Sequence, residues 1–184
     1  MAVHEGPASS AHHRVDRDKV EELLRAAVKA AYDDERVIFE ERAHERSIVF
    51  HIARHLASQV QVLMPGWSVD VDYDRWHQSE MEPVKKQLYW GRIRRAEGTA
   101  AQAEAPEDHD VYPDIIIHRR SRPSAEHDLL VVEVKKEEAG GHEDDREKLR
   151  AFMSDPFRYQ HAAFLVLPEN GGFPQWEWIE PRLT

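Results

Sequence analysis

The chain contains no cysteine, so neither disulfide bonds nor thiolate metal ligands can form. No stretch approaches the roughly 18 uninterrupted apolar residues that a membrane-spanning helix needs. Residues 1–10 lack the basic and then apolar segments of a secretory signal, and we expect none there. From these absences we expect a cytoplasmic protein that has no membrane partner.

The chain also has fewer basic than acidic residues: it contains 25 Lys and Arg residues and 35 Asp and Glu residues, so the net charge is −10. Non-specific DNA affinity depends largely on cationic contacts to phosphate, so this balance argues against strong DNA binding by the chain alone. Local basic patches matter more than the sum, and a nucleic-acid partner is therefore not excluded. A partner subunit that supplies DNA affinity is compatible with both points.

The length and composition indicate one domain with a substantial core. The 184 residues are 41% hydrophobic and 33% charged, which suits a soluble globular fold with exposed polar segments. Residues 1–14 contain three His and several small polar residues, and they predict a disordered tail. We therefore expect a single domain over residues 15–184, in which the acidic, low-complexity residues 96–110 form a mobile surface loop.

Two amphipathic helices are predicted before the first strand. The first is capped by Asp16 or Asp18 and ends near residues 33–34. The second runs from about residue 42 to residue 63, and Glu45 lies on its core-facing stripe, where an unpaired carboxylate is costly. Glu45 is either an acid that reaches a functional site or a first-turn residue that interacts with the helix dipole. The apolar stripe of this second helix consists of Val49, Ile52, Leu56, Val60 and Leu63.

Two apolar runs, residues 111–118 and 129–136, carry charge at positions where an ordinary core strand would not. A strand has a period of two, so the second run places Glu133 and Lys135 on one face. In the first run Asp114 follows a proline, a residue type that suits the first position of a strand. If the two strands are neighbours, the two acids and the lysine converge on one point, as metal-assisted phosphodiester hydrolysis requires. The plainer alternative is a charged pair on an open sheet face, with Asp114 capping a turn.

Pro113-Asp114, followed after 18 residues by Glu133-Val134-Lys135, resembles the signature of the PD-(D/E)XK nuclease superfamily. A helix that bears Glu45 before these strands and an amphipathic helix after them extend the resemblance over roughly residues 16–167. The resemblance implies a restriction-endonuclease-like fold. This is an α/β/α sandwich around a central mixed β-sheet, in which the two charged strands are central and adjacent.

The resemblance also implies a function, namely magnesium-dependent cleavage of DNA, with endonuclease action favoured. In this hypothesis Asp114 and Glu133 bind Mg²⁺, for which Mn²⁺ can substitute, together with the backbone carbonyl of Val134. Lys135 positions or deprotonates a bound water and offsets charge in the transition state, while Glu45 supports the metal or its water. Cutting both strands of a duplex with one site per chain favours a homodimer. The alternatives are a catalytically idle subunit of the same fold, which binds nucleic acid or assembles with a partner, and a phosphoesterase that acts on RNA or small nucleotides.

Basic residues interleaved with aromatic ones suggest where nucleic acid would bind. Residues 81–95 place cations around Tyr89 and Trp90, which suits a phosphate backbone with some base stacking. The alternative is a basic strand or hairpin whose aromatic residues lie in the core. Two further arginines follow the 111–118 strand and are also candidates for phosphate contact. The plainer alternative for them is a solvated turn. The candidate nucleic-acid contacts are Lys85, Lys86, Arg92, Arg94, Arg95, Arg119 and Arg120.

Other polar patterns have plainer interpretations. His51 and His55 stand four residues apart on the second helix, but no clear third ligand accompanies them, so we interpret them as residues of the helix flank. Asp70 belongs to an alternating strand over residues 68–75. We expect the acidic face of that strand to be solvated or to border a site.

A helix and two strands are predicted near the C-terminus. The helix covers about residues 144–153, and its cations Arg146 and Lys148 either face a substrate or, as is usual for helix charges, are simply exposed. An apolar strand follows over residues 161–167. Gly171-Gly172 predicts a turn, and the alternation after it predicts a last strand.

Overall fold

The computed structural model describes residues 14–71, 75–77, 83–85, 88–89, 110–120, 127–139, 142–155 and 157–182. Within these ranges the chain forms four helices and nine strands. The helices are α1 (Arg17–Asp34), α2 (Arg36–Glu40), α3 (Glu45–Leu63) and α4 (His142–Phe152). The strands are β1 (Ser68–Val71), β2 (Arg75–His77), β3 (Pro83–Lys85), β4 (Leu88–Tyr89), β5 (Asp110–Val111), β6 (Ile115–His118), β7 (Asp128–Lys136), β8 (His161–Leu167) and β9 (Gln175–Ile179).

The centre of the fold is a mixed sheet of five strands in the order β1-β6-β7-β8-β9. Neighbouring strands are antiparallel except β7 and β8, which are parallel. The central strand β7 is buried from Asp128 to Val134, as expected for an apolar run that is covered on both faces. The predicted adjacency of the two charged runs is confirmed, since Ile115 of β6 pairs with Val132 of β7. Two separate ladders join β2 to β3 and β4 to β5.

Helices cover both faces of the five-stranded sheet. On one face α1 and α3 pack against Val132 and Val134. On the other face α4 packs against Val131. Because side chains alternate along a strand, Glu133 and Lys135 belong to the same face as Val131. The chain therefore has a mixed α/β fold with helices on either side of an open sheet, as predicted at this level.

The first helix begins and ends where the sequence predicts. Asp16 caps α1 by accepting a hydrogen bond from the N–H of Asp18 at 3.1 Å. The buried residues of the helix recur at helical spacing and form one face against the core. They are Val20, Leu23, Leu24, Ala27, Val28 and Ala31.

The second predicted helix is α3, which begins at Glu45 rather than near residue 42. The ring of His44 caps it, because Nδ1 accepts a hydrogen bond from the N–H of Arg46 at 3.3 Å. Just before this cap, Arg42 has a left-handed backbone with φ of 52°. A helix that started at residue 42 is therefore excluded, and Glu45 occupies the first turn.

Two further details of this helical region differ from prediction. The sequence pattern did not predict α2, the short helix over Arg36–Glu40. The prediction that Leu63 is buried is wrong, since it is 57% exposed. Leu63 is the last residue of α3, and Met64 takes the buried position beyond it.

The C-terminal elements follow the prediction closely. Helix α4 begins two residues before the predicted start, and β8 has the predicted bounds. The predicted turn is present and contains Gly171, which has a positive φ of 67°. A Cβ at this position would lie 2.6 Å from the Cα of Glu40, so the close approach of α2 also requires glycine.

Several predictions fall outside the described residues. They concern the tail over residues 1–13, the loop over residues 96–109, the side chain of Lys85, and the whole of Lys86, Arg92, Arg94 and Arg95. The predicted first strand is described as far as Val71. No helix in the described part of the chain is long and apolar enough to cross a membrane.

Candidate active site

Asp114 is tied to the neighbouring strand by its carboxylate. It immediately precedes β6, and its Oδ2 accepts a hydrogen bond from the backbone N–H of Val134 at 2.7 Å. Because Val134 follows Glu133 in β7, this bond holds the Asp114 carboxylate beside the second acid. Val134 thus contacts Asp114 through its N–H, whereas the resemblance implied a role for its carbonyl.

Lys135 joins the end of β7 to the start of α3. Its Nζ donates a hydrogen bond to Oε1 of Glu45 at 3.1 Å. The two side chains are only 22% and 25% exposed, so the pair is partly shielded from water. Glu45 is also in the first turn of α3, where the helix dipole favours a negative charge. The two interpretations of Glu45, a site residue and a first-turn residue, are therefore compatible.

Glu133 is the most buried acid in this region, with a side chain that is 1% exposed. Its Oε1 atom has no hydrogen-bond partner among the described residues. Its Oε2 atom lies 3.6 Å from Nζ of Lys148 in α4. A buried carboxylate oxygen without a hydrogen-bond partner costs free energy, so Oε1 of Glu133 destabilises the folded protein.

Asp145 is a site residue that the sequence analysis did not identify, and Lys148 is one that it considered only as a helix cation that faces a substrate or is exposed. Nζ of Lys148 lies 2.6 Å from Oδ1 of Asp145, one turn earlier on the same helix. Asp145 is 5% exposed, and Lys148 has an 18% exposed side chain. Lys148 is therefore held between two acids rather than exposed, contrary to the plainer expectation for helix charges.

The helical spacing of α4 contains a signal for these residues. Asp145, Leu149 and Phe152 recur at i, i+4 and i+7, so an acid lies on the stripe that packs against the sheet. Lys148 stands three residues after Asp145, which is the spacing of an intrahelical ion pair. A search for charged residues on apolar stripes, which identified Glu45 in α3, would have identified Asp145 in α4.

The two acids of the strand motif resist ionisation. Burial raises the pKa of Asp114 to about 6 from its usual 3.8, although the Val134 N–H and the charge of Lys135 act in the opposite direction. Burial also raises the pKa of Glu133 well above its usual 4.5, and the charge of Asp114 raises it further. The two carboxylates therefore lie close enough to repel each other when both are charged.

The two lysines keep their protons strongly. Burial by itself lowers the pKa of Lys135, but the charges of Asp114, Glu45 and Glu133 outweigh it and raise the pKa above its usual value. Burial likewise opposes the rise at Lys148, where Glu133 and Asp145 raise the pKa. Both side chains are thus ammonium groups at neutral pH.

Six ionisable side chains surround the end of β7, and we call them the carboxylate–lysine cluster. When all are charged, four carboxylates face two ammonium groups and leave two negative charges. One divalent cation would neutralise this excess. The members of the cluster are Glu45, Asp114, Glu133, Lys135, Asp145 and Lys148.

The donor set of the cluster fits a magnesium ion. Among the residues that the structure describes, no group of three or more His, Asp or Glu side chains is arranged to hold a metal ion. Magnesium usually takes only one or two carboxylates from a protein, because it keeps several waters and uses substrate phosphates as further ligands. Asp114 and Glu133 supply two carboxylates, and the unbonded Oε1 of Glu133 is a suitable oxygen.

The predicted nucleic-acid contacts Arg119 and Arg120 do not join the cluster. They follow β6, whereas Asp114 precedes it, so the length of the strand separates them from the acid. The guanidinium of Arg119 lies over the ring of Trp67, 4.7 Å from its centroid. Nε of Arg120 donates a hydrogen bond to Oδ2 of Asp70 at 2.8 Å.

Of the two expectations for the acidic face of β1, that it is solvated or that it borders a site, the first is wrong for Asp70. Its side chain is 15% exposed, and its Oδ2 lies 2.7 Å from Nε2 of the buried His118. Burial raises the pKa of Asp70, but the hydrogen bonds from His118 and Arg120 outweigh burial and lower it to about 2. Asp70 therefore belongs to a separate, well-paired ionic group on β1 and β6.

The two histidines of α3 lie near acids at the end of α1. Nδ1 of His51 lies 3.3 Å from Glu35, and Nε2 of His55 lies 3.4 Å from Asp34. These contacts agree with the interpretation of His51 and His55 as residues of the helix flank.

The carboxylate–lysine cluster is the site that the described residues assemble around the strand motif. It contains all four predicted catalytic residues, Glu45, Asp114, Glu133 and Lys135, and adds Asp145 and Lys148 from α4. Comparisons of the chain with protein-family models, with curated proteins and with solved structures found no match.

Proposed function

We propose that this chain is a magnesium-dependent nuclease that hydrolyses phosphodiester bonds in DNA, with the carboxylate–lysine cluster as its active site. The observation that carries the proposal is Glu133, a buried acid whose Oε1 has no partner among the described residues and whose pKa is raised by burial and by Asp114. Such an arrangement destabilises the fold, and bound positive charge would relieve it. Sites of this kind are typical of function rather than of packing.

Asp114 and Glu133 would hold the divalent ion. Each has one carboxylate oxygen beside a protein group: Oδ2 of Asp114 accepts the Val134 N–H, and Oε2 of Glu133 lies near Lys148. These contacts orient the acids before substrate arrives. When bound, a magnesium ion supplies Lewis-acid polarisation of the phosphate and a lower pKa for an attached water.

Lys135 would act as a positioned cation. Its raised pKa argues against proton abstraction by the lysine itself, because an ammonium group has no lone pair to accept a proton. The ammonium can donate hydrogen bonds to a phosphate oxygen or to the attacking water, and it offsets negative charge that develops in the transition state. Glu45 positions Lys135 from the start of α3.

The arrangement of elements supports the finer assignment to a restriction-endonuclease-like fold. A helix that carries an acid (α3) precedes the antiparallel pair β6 and β7, which carries the motif. Helix α4 then crosses to β8, which lies parallel to β7. The acids and Lys135 lie together toward one end of the central strand β7.

The proposal is tested by incubating the purified chain with supercoiled plasmid, linear duplex, single-stranded DNA and RNA, with Mg²⁺ or with a chelator. We expect DNA cleavage that needs the metal and that falls by more than about a hundredfold in Asp114→Asn and Glu133→Gln. Glu22→Gln, which alters an exposed carboxylate on α1, is the matched control and should cleave normally. Metal-independent cleavage, or equal cleavage by the site variants, would contradict the proposal. Cleavage of RNA alone would change the substrate class.

A second candidate function is an idle subunit of the same architecture, which binds nucleic acid or assembles with a partner. Two observations favour it: the net charge of −10 and the lack of three metal-ligating side chains grouped together in the described part of the chain. Calorimetric titration with Mn²⁺ separates the two functions. Binding that is lost in Glu133→Gln supports the nuclease, and no binding supports the idle subunit.

A further inference from the structure

Lys148 leaves Glu133 with one free oxygen. The ammonium lies 3.6 Å from Oε2 of Glu133, whereas Oε1 has no hydrogen-bond partner in the described part of the chain. Lys148 is itself anchored, because Asp145 holds Nζ at 2.6 Å with a side chain that is 7% exposed. The anchor is rigid, since Leu149 and Phe152 fix this part of α4 against the sheet.

This asymmetry affects how Glu133 can bind a cation. An ion shared equally by both carboxylate oxygens would approach the Lys148 ammonium, and the two positive charges would repel each other strongly in a buried place. An ion on Oε1 alone stays farther from Nζ. Two-oxygen binding by a glutamate is a common mode for Ca²⁺, which takes six to eight oxygens, whereas Mg²⁺ takes six in a strict octahedron and uses few carboxylates.

We infer that Lys148 is a specificity-determining residue that makes the carboxylate–lysine cluster select Mg²⁺ and Mn²⁺ over Ca²⁺, with Asp145 as its positioning residue. The inference rests on the proposed metal site and adds its selectivity. It assigns to α4 a role that the strand motif does not contain. Lys135 is directed to Glu45 on α3, whereas the ammonium of Lys148 lies 3.6 Å from Oε2 of Glu133.

The test is isothermal titration calorimetry of the full chain with Mn²⁺ and Ca²⁺, comparing wild type with Lys148→Met. The quantity measured is the ratio of the two dissociation constants, because removal of Lys148 alters the charge of Glu133 and shifts both affinities together. We expect wild type to prefer Mn²⁺. The Ca²⁺ dissociation constant divided by the Mn²⁺ dissociation constant should fall by about tenfold in Lys148→Met, because the Coulomb repulsion that opposes two-oxygen binding is removed. Lys148→Arg, which keeps the cation, should restore most of the preference.

Two further variants make the result specific. Asp145→Asn keeps Lys148 but weakens its anchor, so a partial fall in the ratio is expected, and this variant decides the question if Lys148→Met does not fold. Lys136→Met is the matched control. It removes the same charge two residues after Val134, where Nζ bonds the carbonyl of Arg42 at 3.0 Å, and it should leave the ratio unchanged.

The outcomes separate this inference from the proposed function. If wild type binds no divalent ion, the metal site and the inference both fail. If wild type prefers Mn²⁺ and Lys148→Met keeps the same ratio, the inference alone is overturned. An equal fall of the ratio in Lys136→Met also overturns it, because the effect would then follow from the loss of any nearby positive charge and not from the position of Lys148.

Discussion

The backbone N–H of Val134 and the Oδ2 atom of Asp114 are 2.7 Å apart, and their hydrogen bond links an acid to the neighbouring strand, close to its C-terminal end. The other oxygen of Asp114, Oδ1, accepts no hydrogen bond from the described residues. Glu133 shows the same division, with Lys148 near one oxygen and the other left unbonded. The protein thus orients both acids and leaves one oxygen of each without a hydrogen bond from the described residues.

The raised pKa of Asp114 predicts a pH-dependent cost in stability. In the absence of metal, the contribution of Asp114 to stability is greatest below its usual pKa of 3.8 and is lost as the pH rises through about 6, because the folded state then gives up a proton that it holds more tightly. The full shift corresponds to about 3 kcal/mol. Asp114→Asn removes this titration, so wild type should lose stability relative to the variant between pH 4 and pH 7.

Urea denaturation in a chelator, repeated across this pH range, measures the difference between the two free energies of unfolding. Glu22→Gln serves as the control, and its curve should run parallel to that of wild type. A difference between wild type and Asp114→Asn that stays constant with pH would show that Asp114 titrates normally.

Glu133→Gln should separate stability from metal binding. The substitution keeps the shape of the side chain and removes a buried ionisable carboxyl group, whose pKa is raised by burial and by Asp114. We expect the melting temperature at pH 7.5 without metal to rise, since Lys148 retains Asp145 as its partner. Mn²⁺ binding should be lost in the same variant. A lower melting temperature would indicate that Glu133 is a stabilising ion-pair residue instead.

Lys135→Met should reduce catalysis more than metal binding. Because the ammonium acts on the phosphate or the attacking water, we expect kcat to fall by about a hundredfold or more. Mn²⁺ affinity, measured by calorimetry, should be retained or improved, since a neighbouring cation has been removed. Glu45→Gln should have a smaller effect of the same kind, because Lys135 loses its anchor but remains present.

The matched control for Lys135 is Lys136→Met, the adjacent lysine on the opposite face of the strand. Normal cleavage by Lys136→Met together with slow cleavage by Lys135→Met would place the effect on one side of β7. Loss of Mn²⁺ binding in Lys135→Met would contradict the assigned role.

Much of the fold is predictable from the sequence because its signals are local. The stripe from Val20 to Ala31 and the apolar run of β8 determine their elements without reference to the rest of the chain. The predictions fail where the structure depends on the elements that surround a residue. Leu63 has helical spacing, but the last turn of α3 leaves it exposed, and α2 is too short to show a period.

The candidate site likewise contains residues that the local pattern predicts and residues that only tertiary packing brings together. Glu133 and Lys135 are predictable because alternation in a strand places them on one face, and Asp114 because β6 and β7 are consecutive. The contribution of α4 depends on tertiary packing, since only the docking of that helix brings Lys148 to Glu133. The pairing of Asp70 with His118 and Arg120 likewise requires β1 to lie beside β6, an order that spacing along the chain does not reveal.

Asp70→Asn should destabilise the protein without changing the chemistry of the cluster. The pKa of Asp70 is lowered to about 2, so its stabilising effect is fully present above the usual 3.8 and is lost as the pH falls through about 2. The shift corresponds to about 2 kcal/mol at neutral pH. Because β6 separates Asp70's partners from Asp114, the cleavage rate per folded molecule and the Mn²⁺ affinity should match those of wild type. Denaturation at pH 7 measures the first effect, and plasmid cleavage with calorimetry measures the second. A large fall in cleavage by a fully folded Asp70→Asn would mean that the ionic group on β1 and β6 also takes part in the reaction.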